Sequence, residues 1–573
     1  MKKTFLLLLT LLAWGFARAG QPAQPETASG VGTGNETRGR LFMAVTANPL
    51  ATDAAVEILR GGGTAADAAI AAQLVLNLVE PQSSGLGGGG FLLYHDARDN
   101  RLRAYDGRET APATARPDRF LGSDGKPLSF HEAAVGGRSV GVPGLPALLD
   151  LVYRNHGRML WPKLFAPALR LAVEGFPMSP RLHRLLAEDR YLRDDPAARR
   201  LYFEADGKPK PVGTKIVNRE FGFVLLALAQ HGTKIFYEGP VARDIVAAVR
   251  AHAKNPGDLS EADITAYKPV EREPVCGERF GHRVCGMPPP SSGGIAVLQM
   301  LTFTEGLAGK KPLAQESVHR FAESGRLTFS DRVRYLADPA FFDVPVKALL
   351  DPAYLAARAQ LIRAESSMGR ADAGELPMRQ SLGEDASTEL PATTHISIAD
   401  TEGNAAVLTS SIEAAFGSRV MVHGFLLNNQ LTDFSFRPDE GGRPVANRVE
   451  PGKRPLSSMA PTLIYGKDGR IAALLGSPGG SRIINYVAQA VLGLLAWNLT
   501  PAETVALPHF GSRNGPTELE RGTSAETLRP ALERLGHAVS IQDMTSGLSV
   551  IQRRREDWVG AADPRREGAA RGE

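Results

Sequence analysis

The sequence predicts a mixed α+β protein, and three observations carry that prediction. Residues 145 to 360 read mainly as helix, with amphipathic stretches such as Leu145 to Tyr153 and Val318 to Tyr335. Beyond residue 393 the pattern changes to short apolar runs joined by turns: His395 to Ala399, Ala405 to Ser411, Leu463 to Tyr465 and Ile471 to Leu475. Near the beginning, two helices are expected ahead of a strand. Segregated helices and strands point to α+β.

Lys2 and Lys3, the apolar run Phe5 to Trp14 and Ala17-Arg18-Ala19 have the layout of a cleaved secretory signal over residues 1–19. The apolar run is too short to span a bilayer, so export without a stable membrane anchor is expected. Residues 20–40, rich in Gly, Pro, Thr and Gln, are expected to be a disordered lead-in. A helix from Pro49 to about Arg60 stops at Gly61-Gly62-Gly63. Thr64 with Asp67 resembles a capping box opening an Ala-rich helix to about Leu78. The loop Pro81-Gln-Ser-Ser-Gly-Leu-Gly-Gly-Gly-Gly90 contains G-x-G-x-x-G at Gly85, Gly87 and Gly90. A dinucleotide site needs that loop between a strand and a helix, and here the order is reversed, so no cofactor is inferred. Residues 364–392 are polar, lack periodicity and read as an exposed linker. An apolar helix, about Ile483 to Trp497, follows a glycine loop.

The 573 residues are 43% hydrophobic and 22% charged, an ordinary globular balance. Length alone suggests roughly three or four domains, but the motifs below scatter one site from Arg108 to Gly480. Removing Lys2, Lys3 and Arg18 leaves a net charge near +1, which argues against a nucleic-acid partner. Arg553-Arg554-Arg555, followed by Glu556 and Asp557, reads as a solvated face. Cys276 and Cys285 flank a hairpin with its turn near Gly281. Two cysteines are too few for a structural zinc site, so no metal is inferred, and in an exported protein a disulfide is expected.

Several motifs carry chemistry. Thr393-Thr394-His395 sits where the linker meets a strand. A threonine hydroxyl is a poor nucleophile without a base, but if the bond after Ala392 is cut, the freed α-amine of Thr393 can serve. The same hydroxyl can make the cut by attacking the Ala392 carbonyl to give an ester that water hydrolyses. Gly476-Ser-Pro-Gly-Gly-Ser481 lies between a strand and a helix, where the N–H groups of Gly479 and Gly480 suit an oxyanion. Gln430 and Asp433 are suited to an ammonium, Ser457 and Ser458 to a carboxylate, and Arg108 to pairing bidentately with that carboxylate.

Taken together, D-x-R-E-T-A-P, P-P-P-S-S-G-G, T-T-H, N-N-Q-x-x-D-F, K-R-P-L-S-S-M and G-S-P-G-G-S-R occur in an order that closely resembles the γ-glutamyltransferase (γ-glutamyltranspeptidase) family of N-terminal-nucleophile hydrolases. The resemblance runs from about Ala44 to Arg565. It implies an αββα sandwich built by two subunits, residues 41–392 and 393–573, after self-cleavage between Ala392 and Thr393. It also implies that Thr393 attacks the γ-carbonyl of glutathione or a related compound to form an acyl-enzyme. Water or an amino-acid or peptide acceptor then takes the γ-glutamyl group. Arg108, Ser457 and Ser458 would bind the donor α-carboxylate, Gln430 and Asp433 its α-ammonium, and Gly479 and Gly480 the oxyanion.

Three departures from the family pattern stand out. Ser411 replaces a threonine that hydrogen-bonds the nucleophile in many members. Glu413 replaces an asparagine near the donor amine. The segment between Asp433 and Ser457 is short and lacks the tyrosine of a lid. The competing readings are a glutaryl- or cephalosporin-type amide acylase on the same fold and a non-catalytic exported scaffold.

Overall fold

The computed structural model describes residues 34–377 and 382–573. The expected secretory segment lies outside the described residues, as does most of the lead-in. The end of that lead-in is not disordered: Thr37–Gly39 pairs antiparallel with Trp558, Val559 and Gly560, so its backbone polar groups have strand partners.

Two antiparallel seven-stranded sheets form the centre. The first runs Ala569–Gly572, Met43–Thr46, Thr394–Ala399, Ala405–Ser411, Gly89–Asp96, Arg101–Gly107, Val270–Arg272. The second runs Thr37–Gly39, Asp557–Ala562, Ser549–Arg554, Ile471–Gly476, Thr462–Tyr465, His282–Gly286, Val275–Arg279.

Strand alternation explains how the layers stack. In the first sheet Ile396, Ile398, Leu408 and Leu92 pack with the helices Pro49–Arg60 and Ala65–Val79. The intervening Val407, Phe91 and Leu93 pack with Leu463, Leu475 and Val550 of the second sheet. That sheet's other face receives Gly293–Phe303 and Ile483–Leu495, the latter shorter than expected at its end. The result is helix, sheet, sheet, helix. Both faces of each sheet are covered, which is why the strands read as apolar runs rather than simple alternation.

The Ala-rich helix is buried along its whole length, and the capping box of Thr64 and Asp67 holds its start. A strand follows the glycine loop, opposite to the dinucleotide order. Those glycines allow close approach instead: a Cβ at Gly87 would sit 2.1 Å from the Leu426 carbonyl oxygen, and one at Gly88 2.1 Å from that of Ser411. Cys276 and Cys285 face each other across the hairpin and are joined by a disulfide. Phe280 and Gly281, both at positive φ, make its turn. Among the described residues, no helix is long and apolar enough to cross a membrane.

Candidate active site

The register of two strands builds the centre of the site. Thr394 pairs with Ser410, so Thr393 meets Ser411, the last residue of the neighbouring strand. The Thr393 hydroxyl lies 3.2 Å from Ser411 Oγ and directly against the Ala392 carbonyl oxygen. Ser411 Oγ donates to that same carbonyl at 3.1 Å and accepts the Glu413 N–H at 2.9 Å. Arg566 holds the Thr393 carbonyl at 2.9 Å. The third residue of the T-T-H motif is elsewhere. His395 is buried between the sheets, bonded to the Thr409 hydroxyl at 2.7 Å, and burial alone pushes its pKa down to about 3. Its ring fills the space where a Cβ on Gly476 would fall, 2.1 Å away.

Around Thr393 one cavity is lined by Arg108, Ser411, Glu413, Gln430, Asp433, Ser457, Ser458 and Gly480, together with Glu389, Leu390 and Ala392. Gly479 stands just outside that lining, against the Tyr486 ring. Both glycines take positive φ, 138° and 58°. Residues Glu389–Ala392 correct the expectation of an exposed linker. Ala392 is 1% exposed, and the preceding turn is tied down by Asp385, which accepts from Asn447 at 2.8 Å. The polar residues of this stretch find partners in the site itself. The volume left beside them is about 20 Å³, room for one water-sized molecule.

The side of the cavity lined by Glu413, Gln430 and Asp433 is rich in acceptors. Gln430 Nε2 and Arg108 NH2 both donate to Asp433 Oδ2, at 2.6 and 2.5 Å. Asp433 Oδ1 and Gln430 Oε1 are buried without a hydrogen-bond partner. Burial pushes the Asp433 carboxyl up to about 7, against the pull of Arg108. Glu413 faces into the cavity and not toward Arg419, which pairs with Asp189 at 2.9 Å. Its carboxylate accepts from the Leu390 N–H at 3.0 Å and from Asn429. Burial first, and the neighbouring Asp433 second, raise its pKa well above the ordinary carboxyl value.

Arg108 is less free than its fork suggested. Its Nε donates to the Pro455 carbonyl at 3.1 Å, and NH2 donates to that of Leu456 at 2.8 Å as well as to Asp433. The bidentate edge is therefore spent on the protein, and only the NH1 side is left for a ligand. Ser457 and Ser458 are carried by the P-P-P-S-S-G-G segment, whose part in the site the sequence did not disclose. Ser292 Oγ donates to the Ser457 carbonyl at 2.7 Å and Ser291 Oγ to that of Met459 at 2.6 Å. No motif spacing points to Arg332 or Glu389, and Glu109, the acid of D-x-R-E-T-A-P, carries no expected role in the sequence reading. The short Asp433–Ser457 segment forms an exposed hairpin, Asp439–Glu440 with Arg443–Pro444, resting on the linker through Gly383 N–H to Pro444 O at 3.1 Å.

Glu109, beside Arg108, has both carboxylate oxygens buried without a hydrogen-bond partner, and Arg108 NH1 is 3.8 Å away. Burial raises its pKa from 4.5 to about 8, partly offset by Arg108. Between those values the folded chain holds a proton that the unfolded chain has released. Stability from this group is therefore greatest at acid pH and falls as pH rises toward 8. Glu109→Gln, made in uncleaved Thr393→Ala protein, is expected to flatten that fall. Its denaturant-unfolding stability relative to the parent should improve between pH 5 and 8, by on the order of a few kcal/mol. A parallel pH dependence in both proteins would remove Glu109 as the cause.

Comparison with known proteins settles the family. The γ-glutamyltranspeptidase family profile matches residues 51–573. The chain belongs to that family. It is 34% identical to the glutathione hydrolase proenzyme of Bacillus subtilis (strain 168), over 100% of this chain and 99% of the relative. It is 35% identical to the glutathione hydrolase proenzyme of Escherichia coli (strain K12), over 99% and 98%. The fold superposes on the cephalosporin acylase from Bacillus halodurans with a TM-score of 0.82, covering 96% of this chain and 99% of that one at 24% identity.

Proposed function

We propose that this chain is an exported precursor that cuts itself before Thr393 and then hydrolyses or transfers the γ-glutamyl group of glutathione and related compounds. The observation that carries the donor class is the pair of partnerless buried acceptors, Asp433 Oδ1 and Gln430 Oε1, in the same cavity as the Thr393 hydroxyl. Buried acceptors of this kind are costly unless a donor arrives, and an α-ammonium supplies three N–H groups. The serine pair opposite offers hydroxyl donors to a carboxylate. Export is inferred from residues 1–19, and the two subunits from the position of Thr393.

The contacts around Thr393 support the following steps. Thr393 Oγ attacks the Ala392 carbonyl, which Ser411 polarises; the acyl group moves from N to O, and water hydrolyses the ester. That leaves a carboxylate on Ala392 and a free amine on Thr393. In the second reaction this amine takes the hydroxyl proton as Thr393 attacks the donor's γ-carbonyl. The oxyanion is held by the N–H groups of the Gly479–Gly480 loop. The amine, glutathione's cysteinylglycine portion for example, leaves with a proton, and water or an acceptor amine releases the γ-glutamyl group.

A glutaryl donor differs only by lacking the α-ammonium, so it leaves these acceptors orphaned and Glu413 close to Asp433 with no cation beyond the Arg108 that Asp433 already holds. The expected discrimination is about tenfold or more in kcat/KM, equivalent to at least ~1.4 kcal/mol. Matched γ-glutamyl and glutaryl anilides decide it. Equal rates would favour the acylase reading. With glycylglycine added, hydrolysis is expected to remain substantial, because the short Asp433–Ser457 hairpin gives little cover against water. Exclusive transfer would contradict that.

A further inference from the structure

We propose that Arg332 is a ligand for the donor's α-carboxylate, and that Glu389 occupies its place until the chain is cut. This rests on the γ-glutamyl reading above. Arg332 lies near the end of the helix Gln315–Tyr335 and is 4% exposed. Its Nε donates to Ser292 Oγ at 2.9 Å and its NH2 to Ser458 Oγ at 2.9 Å. The same NH2 forms an ion pair with the Glu389 carboxylate, which also accepts from the Ser458 hydroxyl at 3.1 Å. The uncut chain thus already seats a carboxylate on Ser458, with a second arginine behind it.

The next residue strengthens the likeness to a donor. Leu390 N–H donates to Glu413, on the amine side of the cavity. Residues 389 and 390 therefore place an anion at the serine end and an N–H at the acidic end, the two features of a γ-glutamyl head group.

Cutting after Ala392 releases the tether on this segment, and a donor can enter only where residues 389–392 now lie. Once they leave, Arg332 is a buried guanidinium without a carboxylate, since Glu389 is the one acid within ion-pair distance of it among the described residues. A buried charge stripped of its partner is strongly unfavourable. A donor α-carboxylate relieves that state, and Arg108 cannot do the task alone with its bidentate edge bonded to Pro455, Leu456 and Asp433.

The test pairs a substrate deletion with a residue deletion. 4-Aminobutanoyl 4-nitroanilide is the γ-glutamyl anilide without its α-carboxylate. Arg332→Gln is expected to lower kcat/KM on the γ-glutamyl anilide by about thirtyfold or more, chiefly through KM, the effect of truncating a buried charge pair. On the aminobutanoyl anilide it should change less than about threefold, since no such pair is formed. Arg332→Lys should recover part of the loss on the first donor only. If Arg332→Gln fails to cut itself, Arg332→Lys carries the comparison, because it keeps the charge that Glu389 pairs with. Equal losses on both donors would make Arg332 a structural residue and overturn the proposal. A wild-type enzyme inactive on the γ-glutamyl anilide would instead overturn the functional reading beneath it. Independently, a Ser-Thr-Glu-Leu-Pro-Ala peptide should compete with the γ-glutamyl anilide, and its Glu→Gln form should bind at least about fivefold more weakly. Equal inhibition by the two peptides would remove Glu389 from the anion site.

Discussion

Thr393→Ala protein is expected to run as one full-length chain and to lose about four orders of magnitude or more in kcat, as nucleophile deletions do. Both losses have one origin. In the uncut chain the Thr393 hydroxyl touches the Ala392 carbonyl, whose bond to Thr393 is proposed to break, and among the described residues no other hydroxyl except that of Ser411 is hydrogen-bonded there. Ser411 Oγ instead donates to the Ala392 carbonyl oxygen at 3.1 Å, so it polarises the bond under attack and is not placed as the nucleophile. Thr393→Ser keeps a hydroxyl and should retain part of both activities. A denaturing gel and an anilide assay read the outcome. Efficient cleavage of the Ala protein would sink the mechanism.

Ser411→Ala is expected to slow self-cleavage by about 10²–10³-fold, the range for losing one donor to a developing oxyanion. Ser411 Oγ donates to the Ala392 carbonyl at 3.1 Å, accepts from Thr393 at 3.2 Å and is itself fixed by the Glu413 N–H at 2.9 Å. The deletion leaves the carbonyl unpolarised and the nucleophile unaligned, while removing only one oxygen from a packed site. Ser411→Thr, which keeps the hydroxyl, should cleave at close to the parent rate. A time course of the two bands after synthesis measures it, and cleavage of the Ala form at the parent rate would exclude a role for Ser411.

Much of this was legible in the sequence. Ala405–Ser411 follows from period and turn signals, and the helices Pro49–Arg60 and Ala65–Val79 from their caps and glycine stops. The polar residues that line the cavity are legible because each motif mixes a turn-forming backbone with an otherwise wasteful polar cluster. What failed has physical reasons. The segment before Thr393 looked exposed because it is polar and aperiodic, yet Glu389, Asp385 and the Leu390 N–H are satisfied by partners remote in sequence. Arg332 was invisible because an arginine on a helix ordinarily reads as surface. Here the helix Gln315–Tyr335 is buried along most of its length, a consequence of layers that local periodicity does not encode. Arg108 is legible as a residue of the cavity, but not the two carbonyls that occupy its edge, since those come from residues 455 and 456.

The measurement that bears most directly on the central claim is intact-mass and peptide mass spectrometry of the enzyme, acid-quenched during turnover of a γ-glutamyl anilide. Two chains are expected, the smaller beginning Thr-Thr-His-Ile at residue 393 and carrying one γ-glutamyl group in ester linkage on that first threonine. An uncut active chain, or a γ-glutamyl group on any other residue, would contradict it.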